Sequence, residues 1–434
     1  MQYNAAMAIR ILCTGDIHLG RRPTRAPEGI DVRTLGPDEA FNRFVERAIA
    51  RQVQAAVLTG DVVDAGNRFY EAYGVLQAGV KRLLDHDVPV FAVAGNHDYD
   101  VLTRLADEVT GFRLLGRGGR WEEAALSSPD GDSVRLVGWS FSEQQVRVSP
   151  LADGFPTVGN GETVVGVLHC DCFAASSTYA PVPLAELRAR PVAAWLLGHI
   201  HRPVLLAESL PLVLYPGSPQ GLDPGEPGAH GAWLVEVGRG ITPRAELLPL
   251  APLRYEPIDA PLDGVTDADG FNRAILDAVR RRHAEIEDTL APVRWVAGRL
   301  RLTGRTPLHR ELPTLCPQVR DNLRVPIGDV EYFFEKIEDA TRPDRSLGDL
   351  ARSADPVGLL ARRLLALETG EPAELAGALV RQAREAILSQ RRSPAYLLLD
   401  DATEPPNDEQ ARETLLHAGY AVLDSLLAQK EAVA

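Results

Sequence analysis

IRILCTGDIH, residues 9–18, is an apolar run that ends in a polar cluster, and this pattern recurs along the first 240 residues. AAVLTGDVVD (55–64) and VPVFAVAGNHD (88–98) follow it, and TVVGVLHCD (163–171) and AAWLLGHIH (193–201) come later. Short apolar runs bounded by polar residues are typical of buried strands. We therefore expect strands that deliver carboxylate, amide and imidazole groups to one edge of a sheet.

Two segments between the first three runs have the periodicity of helices. Residues 37–54 place Phe41, Phe44 and Val45 at helical spacing, and residues 67–86 continue the alternation of strand and helix. Strands that alternate with helices predict an α/β fold. At 434 residues the chain exceeds the usual size of one hydrophobic core, so more than one domain is expected.

The pattern of the sequence changes twice after the first domain. From about Leu253 it reads strand, helix, strand, helix, strand, which predicts a smaller α+β unit. Beyond this unit the sequence is helical to its end. We therefore expect three parts, at residues 1–250, 251–342 and 343–434.

The C-terminal part carries a cap signal and an apolar stripe. Asp355 followed by Pro356 predicts the N-cap and first turn of a helix. A spacing of 4, 3 and 4 residues lays one stripe along a helix, formed by Leu416, Tyr420, Leu423 and Leu427. Packing onto the body of the chain explains such a stripe without a partner protein.

Composition bounds the class of protein. The four cysteines are unevenly spaced, which favours reduced thiols and a cytoplasmic protein. The first ten residues lack the features of a signal peptide, and no apolar stretch is long enough for a membrane span. The net charge of −14 argues against a nucleic-acid partner, although a bound metal pair would offset several acidic side chains.

Polar clusters follow the predicted strands. They are Asp16 with His18, Asp61 with Asp64, Asn96 with His97 and Asp98, His169, and His199 with His201. In a D-x-H or H-x-H pair both side chains lie on the same face of an extended segment. A lone histidine after a strand is usually structural, but five of the ten histidines fall in these clusters. Carboxylates and imidazoles aimed at one point from rigid strand ends indicate a divalent metal site.

The ordered set D-I-H, G-D-V-V-D, G-N-H-D, a later H and G-H-I-H resembles the signature of calcineurin-like metallophosphoesterases. The resemblance spans residues 16–201 and implies an α/β fold, a four-layer β-sandwich flanked by helices. It also implies two divalent metal ions, which clamp a phosphate and lower the pKa of a bound water. Manganese is the expected ion, although the ligand chemistry also suits iron or zinc.

The resemblance assigns roles to individual residues. It implies that the first metal is held by Asp16, His18, Asp61 and His201. It implies that the second metal is held by Asp61, Asn96, His169 and His199, so that Asp61 is the bridge. His97 resembles the non-ligand histidine of the family, which contacts the phosphate and acts as general acid.

Three neighbouring residues have competing interpretations. Asp64 resembles an acid of the motif that is normally not a ligand, and a turn-stabilising carboxylate is the alternative. Asp98 is interpreted as a hydrogen-bond partner that orients a nearby histidine. The run from His169 to Cys172 is similar to a zinc knuckle. A closed zinc site needs four dedicated ligands, however, so small residues at a strand end are the favoured interpretation.

Two features favour an SbcD-type DNA-repair nuclease within this family. YPGSPQGLDPGE (215–226) is similar to the stretch after the last histidine motif of those enzymes, and the α+β unit resembles their capping domain. Ala65 follows the G-D-x-x-D motif, where protein phosphatases of this fold have arginine. The family resemblance further implies a homodimer and an SMC-like ATPase partner of the SbcC type. No membrane association is expected, because no apolar stretch is long enough for a span.

Residues 270–325 are basic within an acidic chain. They contain eleven arginines against six acidic residues, a balance of +5. Contacts to DNA phosphates are expected from Arg280, Arg281, Arg299 and Arg301. Local ion pairs on solvated helix faces are the alternative reading of these arginines.

Two other functions stay open at this point. One is hydrolysis of a small cyclic or lipid-linked diester, which the acidic net charge favours. The other is an inactive scaffold of a repair complex, which the complete set of ligand positions disfavours.

Overall fold

The computed structural model describes residues 8–24, 30–64, 69–127, 133–344, 346–391 and 406–433. Its two large sheets are built from β1 (Ile9–Thr14), β2 (Ala55–Leu58), β3 (Val90–Ala92), β4 (Phe112–Leu114), β5 (Glu122–Ser127), β6 (Ser133–Trp139), β7 (Thr163–His169), β8 (Ala194–Gly198), β9 (Val204–Ala207), β10 (Leu212–Tyr215), β11 (Gly231–Val237) and β12 (Arg244–Pro249). The helices that accompany them are α1 (Pro37–Ala50), α2 (Phe69–Leu84), α3 (Val101–Glu108) and α4 (Leu184–Ala189).

Each large sheet has six strands and is mixed. The first has the order β12-β11-β1-β2-β3-β4. Strands β1 to β4 are parallel to one another, β11 is antiparallel to β1, and β12 is antiparallel to β11. The second has the order β5-β6-β7-β8-β10-β9, with β6, β7, β8 and β10 parallel. The carboxyl ends of β1, β2 and β3 therefore meet at one edge, as do those of β7 and β8.

Apolar residues on both faces of the strands form the core. In β1, Ile11 and Cys13 belong to the cluster that packs the two sheets together, whereas Leu12 faces a cluster shared with helices α1 and α2. In β8, Leu196 joins the cluster between the sheets and Trp195 joins the one beyond the second sheet. Strands buried on both faces explain the near-continuous apolar runs of the sequence. The predicted α/β sandwich is confirmed.

The remaining elements follow the predicted order. They are β13 (Leu253–Pro261), α5 (Ala268–Ile286), β14 (Trp295–Thr303), β15 (Arg305–Thr306), α6 (Leu312–Asn322), β16 (Val325–Ile327), β17 (Val330–Asp339), β18 (Arg342–Pro343), α7 (Leu347–Leu350), α8 (Pro356–Thr369), α9 (Ala373–Arg391) and α10 (Asp408–Val433). Short 3₁₀ turns lie at Val32–Leu35, Pro150–Ala152, Glu287–Thr289 and Pro307–Arg310. Strands β13, β14, β17 and β16 form a four-stranded sheet in that order, and β15 pairs with β18.

Contacts divide the chain into two compact units. The first comprises residues 1–257, 282–299 and 324–335, and the second comprises residues 258–281, 300–323 and 336–434. All of the predicted metal ligands lie in the first unit. The boundaries 250 and 342 expected from the sequence stay a prediction.

The C-terminal helices have a core of their own. Asp355 caps α8, because its side chain accepts a hydrogen bond from the backbone N–H of Gly358. The predicted stripe on α10 is buried in a cluster with residues of α8, such as Leu364. The stripe therefore packs within the chain, as the simpler interpretation predicted. Within the described ranges, no helix combines the length and apolarity that crossing a membrane requires.

Candidate metal centre

The predicted ligands follow the carboxyl ends of five strands from the two sheets. Asp16 and His18 follow β1, Asp61 follows β2, and Asn96 follows β3. His169 ends β7, and His199 and His201 follow β8. Five of the seven side chains lie in buried residues, while His199 and His201 are partly exposed. Buried carboxylates and imidazoles need compensating partners, because leaving charge unpaired in the interior is costly.

Backbone strain is concentrated at these residues. Positive φ angles are found at Asp16 (48°), His18 (53°), Asp61 (48°) and His199 (105°). Only three other described residues apart from glycine have a positive φ. Such conformations cost about 1–3 kcal/mol each and persist where the surrounding structure enforces them, typically at functional sites. The turns after β1, β2 and β8 thus aim these side chains at a conformational cost.

The first group of ligand atoms is formed by Asp16, His18 and His201. One ligand atom from each lies within 4.8 Å of those of the other two. The Nε2 atoms of the two histidines are 3.3 Å apart. Asp16 also links the two sheets, since its carboxylate accepts the backbone N–H of His199 at 3.1 Å. Burial raises the pKa of Asp16 to about 6, although the charge of His201 opposes this.

The second group is formed by Asp16, Asp61 and His169, again within 4.8 Å. His169 Nε2 lies 3.5 Å from Asp61 Oδ2 and 3.0 Å from Asn96 Oδ1. Asp16 is thus common to both groups, whereas the sequence predicted Asp61 as the bridge; the bridging role of Asp61 stays a prediction. His199 belongs to neither group, and its ring centroid lies 5.5 Å from that of His169.

The donor set fits a cation. His169 Nδ1 lies 3.1 Å from the carbonyl oxygen of Thr59, to which it donates. Burial lowers the pKa of His169, so the ring is neutral and Nε2 carries a lone pair. This lone pair faces the oxygen of Asn96, another acceptor. An imidazole nitrogen and an amide oxygen that converge at 3.0 Å are ligand types that suit a divalent metal.

Asp98 joins the loops that carry the ligands. Its Oδ1 accepts the backbone N–H of Gly95 at 2.8 Å, and its Oδ2 accepts that of Val62 at 2.7 Å. Burial and the nearby charge of Asp61 raise the pKa of Asp98 well above its usual range. The expectation that Asp98 orients a histidine was wrong, because its hydrogen bonds go to backbone groups next to Asp61 and Asn96.

Asp64 and His97 lie on either side of His18. Asp64 Oδ1 is 3.4 Å from His18 Nδ1, which places a carboxylate on the side of the ring opposite His201. The His97 ring packs edge-on against His18 with centroids 5.3 Å apart, and its backbone N–H donates to Asp61 Oδ1 at 2.9 Å. His97 is exposed, whereas His18 is buried. An exposed imidazole beside a buried ligand group is accessible to a substrate.

Sequence reasoning missed Glu226. Its Oε1 is 2.6 Å from His201 Nδ1, on the far side of the ring from His18. Burial acts to lower the pKa of His201, but the hydrogen bond to Glu226 and the charge of Asp16 outweigh it and raise this pKa to about 9. Glu226 closes the segment 215–226 that carried the SbcD resemblance, which was the signal available in the sequence.

The predicted DNA-contacting arginines differ in their surroundings. Arg280 pairs with Asp277 at 3.0 Å, and Arg299 pairs with Glu335 at 2.7 Å. Arg281 and Arg301 are exposed and make no hydrogen bond or ion pair with another described side chain. Local ion pairs therefore account for two of the four arginines, and the DNA contacts expected from the four stay a prediction.

Family models match two parts of the chain. Residues 9–203 match the calcineurin-like phosphoesterase family, and residues 255–342 match the middle domain of metallophosphoesterase YhaO. The uncharacterized metallophosphoesterase YhaO of Bacillus subtilis is 24% identical over 208 residues, which is 46% of this chain and 50% of YhaO. The chain thus spans half the length of this curated relative.

Other similarities are shorter or more distant. The DNA double-strand break repair protein Mre11 of Methanosarcina acetivorans is 32% identical over 130 residues, or 30% of this chain and 19% of that protein. The crystal structure of a dimetal phosphatase from Danio rerio aligns at 16% identity with a TM-score of 0.35, covering 55% of this chain and 98% of that one.

The two matched regions agree with the two-sheet fold and with the buried acid and imidazole groups described above. Residues 9–203 include all of the strand-end clusters, and side chains from four of these clusters converge in the two ligand groups. The seven predicted ligands carry carboxylate, amide or imidazole groups, all of which suit divalent metals. Residues 9–203 therefore form a calcineurin-like phosphoesterase domain, and the chain is similar to YhaO and distantly similar to Mre11 over part of its length.

Proposed function

We propose that this metal-dependent phosphoesterase is a phosphodiesterase that cuts DNA, a repair nuclease of the SbcD type. The observation that carries the proposal is an exposed His97 beside two largely buried groups of candidate metal-ligating atoms. A phosphodiester needs an activated water, neutralisation of the phosphate charge and a proton for the leaving oxygen. The site offers candidates for all three.

The proposed metal ligands are those expected from the sequence. The first metal is assigned to Asp16, His18, Asp61 and His201, and the second to Asp61, Asn96, His169 and His199. Two bound divalent ions, with manganese as the expected metal, supply charge neutralisation and a hydroxide nucleophile at neutral pH. Asp98 and Thr59 keep the loops and the His169 ring in register by the hydrogen bonds already described.

His97 is proposed to bind the phosphate and to protonate the leaving oxygen. Its backbone N–H is fixed on Asp61, so its position follows that of the metal-ligating loop. Its exposed ring is free to meet a substrate. General acid catalysis by a positioned histidine contributes about 10²–10⁴-fold in rate.

Three observations support DNA as the substrate. The relative from Methanosarcina acetivorans is a DNA double-strand break repair protein. Arg281 and Arg301 are exposed cations suited to backbone phosphates. Phe173, four residues after His169, is 64% exposed, and its ring stacks on Tyr215 at a centroid distance of 6.0 Å. A fixed, exposed aromatic ring is a surface on which an unpaired base stacks.

A small cyclic or lipid-linked diester is the second candidate substrate. The net charge of −14 disfavours a polyanion, and the ion pairs of Arg280 and Arg299 reduce the free positive charge. This function predicts saturable turnover of the diester and no salt-sensitive binding of DNA. The inactive scaffold is disfavoured, because strain and burial at the ligands have no evident purpose without a metal.

Assembly remains a prediction from the family resemblance. A homodimer through α1 and α2 and an SMC-like ATPase bound by the C-terminal helices are both expected on that ground. The buried stripe of α10 is occupied within the chain, so an ATPase has to use other faces of these helices.

End-labelled linear duplex DNA, circular single-stranded DNA and a chromogenic diester, each incubated with manganese, test the proposal. We expect cleavage of DNA, with affinity that falls steeply as salt rises. The variants R281A and R301A should each weaken binding and reduce the salt dependence, while R280A and R299A should do so less. Turnover of the chromogenic diester without any DNA cleavage would reject the nuclease and favour the small diester.

A further inference from the structure

Glu226 lies closer to its histidine, His201, than do the groups behind His169 and His18. His201 presents Nε2 to His18 and presents Nδ1 to Glu226 Oε1, 2.6 Å away. The corresponding position behind His169 is taken by the carbonyl oxygen of Thr59, at 3.1 Å. Behind His18 stands Asp64, but at 3.4 Å. Among these three imidazoles, within the described residues, only His201 has a carboxylate at short hydrogen-bond distance.

Glu226 is itself held in place by the loop between β10 and β11. Its Oε2 accepts the backbone N–H of Leu222 at 2.8 Å, and its backbone N–H donates to Asp223 at 3.0 Å. Its carbonyl oxygen is 3.2 Å from Nε2 of the buried His230. The carboxylate is therefore fixed from both sides, and only 15% of its side chain is exposed.

The contact with Glu226 determines which nitrogen of His201 is free. A carboxylate accepts a hydrogen bond only from a protonated nitrogen, so Nδ1 carries the hydrogen. Metal binding requires Nε2 to lose its proton, and the lone pair of the resulting neutral ring then lies on Nε2, which faces His18. A carboxylate in this position also increases the electron density of the imidazole and fixes its rotation, and both effects strengthen binding to a metal.

We propose that Glu226 is a positioning residue, which fixes His201 through Nδ1 so that the Asp16–His18–His201 group binds its divalent cation tightly. The inference rests on the proposed role of His201 as a metal ligand. It does not depend on which phosphodiester is the substrate. Loss of such an outer partner typically lowers metal affinity by 10–100-fold.

The test is a calorimetric titration of the metal-stripped full chain with manganese. We expect Glu226→Gln to lower manganese affinity by about 10–100-fold while the unfolding temperature in chelator stays near that of the unsubstituted protein. Glu162→Gln is the matched control, because Glu162 also accepts a backbone N–H and a side-chain hydrogen bond but at the opposite end of β7. It should leave manganese affinity unchanged.

A double-mutant cycle separates positioning from loop folding. If Glu226 acts through His201, Glu226→Gln should cause no further loss of affinity in a His201→Ala background. Additive losses, or unchanged affinity of Glu226→Gln alone, would overturn the proposal, as would an unsubstituted protein that binds no manganese. Failure of the protein to cut DNA while manganese binding responds as expected would reject the nuclease and leave the role of Glu226 standing.

Discussion

His18 and His201 face each other through their Nε2 atoms at 3.3 Å, although one follows β1 of the first sheet and the other follows β8 of the second. Nδ1 of His201 is hydrogen-bonded to Glu226, so the Nε2 atoms of His18 and His201 can share only a proton or a metal ion. The two sheets are thus joined at this point by a contact that a cation would strengthen. Predictions about metal, chemistry and folding follow from this arrangement.

Removing divalent metal should destabilise the protein. Because the ligands are brought together only by folding, a metal binds the native state and stabilises it by about 2.7 kcal/mol at a concentration 100 times its dissociation constant. Thermal unfolding with manganese and with chelator measures this difference. Identical unfolding temperatures over a wide manganese range would contradict a metal site.

Asp61→Asn should abolish phosphodiester hydrolysis. The substitution keeps the shape of the side chain but removes a charge that lies 3.5 Å from His169 Nε2. Turnover of a chromogenic diester with manganese is the measurement. Asp107→Asn is the control, because Asp107 is an exposed carboxylate that pairs with Arg117, and it should retain full activity. Equal residual activity in both variants would indicate a contaminating enzyme.

His97→Ala should lose turnover and keep its metals. His97 contributes only its backbone N–H to Asp61, a bond that alanine preserves, so the metal-ligating loop is not expected to move. The rate should fall by about 10²–10⁴-fold, with manganese affinity close to that of the unsubstituted protein. Activity and calorimetric titration on the same preparation test both halves, and a wild-type rate would remove the role assigned to His97.

Gly60→Ala should disturb the second ligand group. Gly60 has a φ of 98°, and a Cβ built there would lie 2.5 Å from His169 Nδ1, which bonds Thr59. The positive φ alone costs alanine roughly 1–2 kcal/mol, and the displaced ring should weaken metal binding. Gly74→Ala, in the exposed interior of α2 with open space around it, should instead stabilise by about 0.5–1 kcal/mol. Equal unfolding free energies for the two variants would contradict this account.

The ligand residues were predictable because strand ends are local features of the sequence. Parallel strands meet at one edge, so residues that follow β1, β2 and β3 had to lie together once the α/β alternation was recognised. The positive φ of Asp61 was not predictable, since only a few per cent of residues other than glycine adopt one, although aspartate is among the enriched types. Helix α1 ends at Ala50 and not at residue 54, because Gln52 turns the chain into β2 with a φ of 49°.

Contacts between residues far apart in the sequence were the part of the structure that could not be predicted. Glu226 is 25 residues from His201, and the path of the intervening loop depends on β10 and β11. The pair Arg299–Glu335 joins two strands 36 residues apart, so the free charge of the basic segment was overestimated. Charge counts along a sequence cannot distinguish an arginine that neutralises a local carboxylate from one that faces solvent.

The C-terminal helices offer a matched pair of neighbouring residues. Leu423 is 1% exposed in the core shared by α8 and α10, whereas Val422 beside it is 52% exposed. Leu423→Ala should destabilise by about 2–5 kcal/mol, through lost burial and the cavity left behind. Val422→Ala should change stability by less than about 0.5 kcal/mol, as is usual for surface positions. Chemical denaturation followed by circular dichroism measures both, and a similar loss in the two variants would mean that the exposed face of α10 is covered in solution.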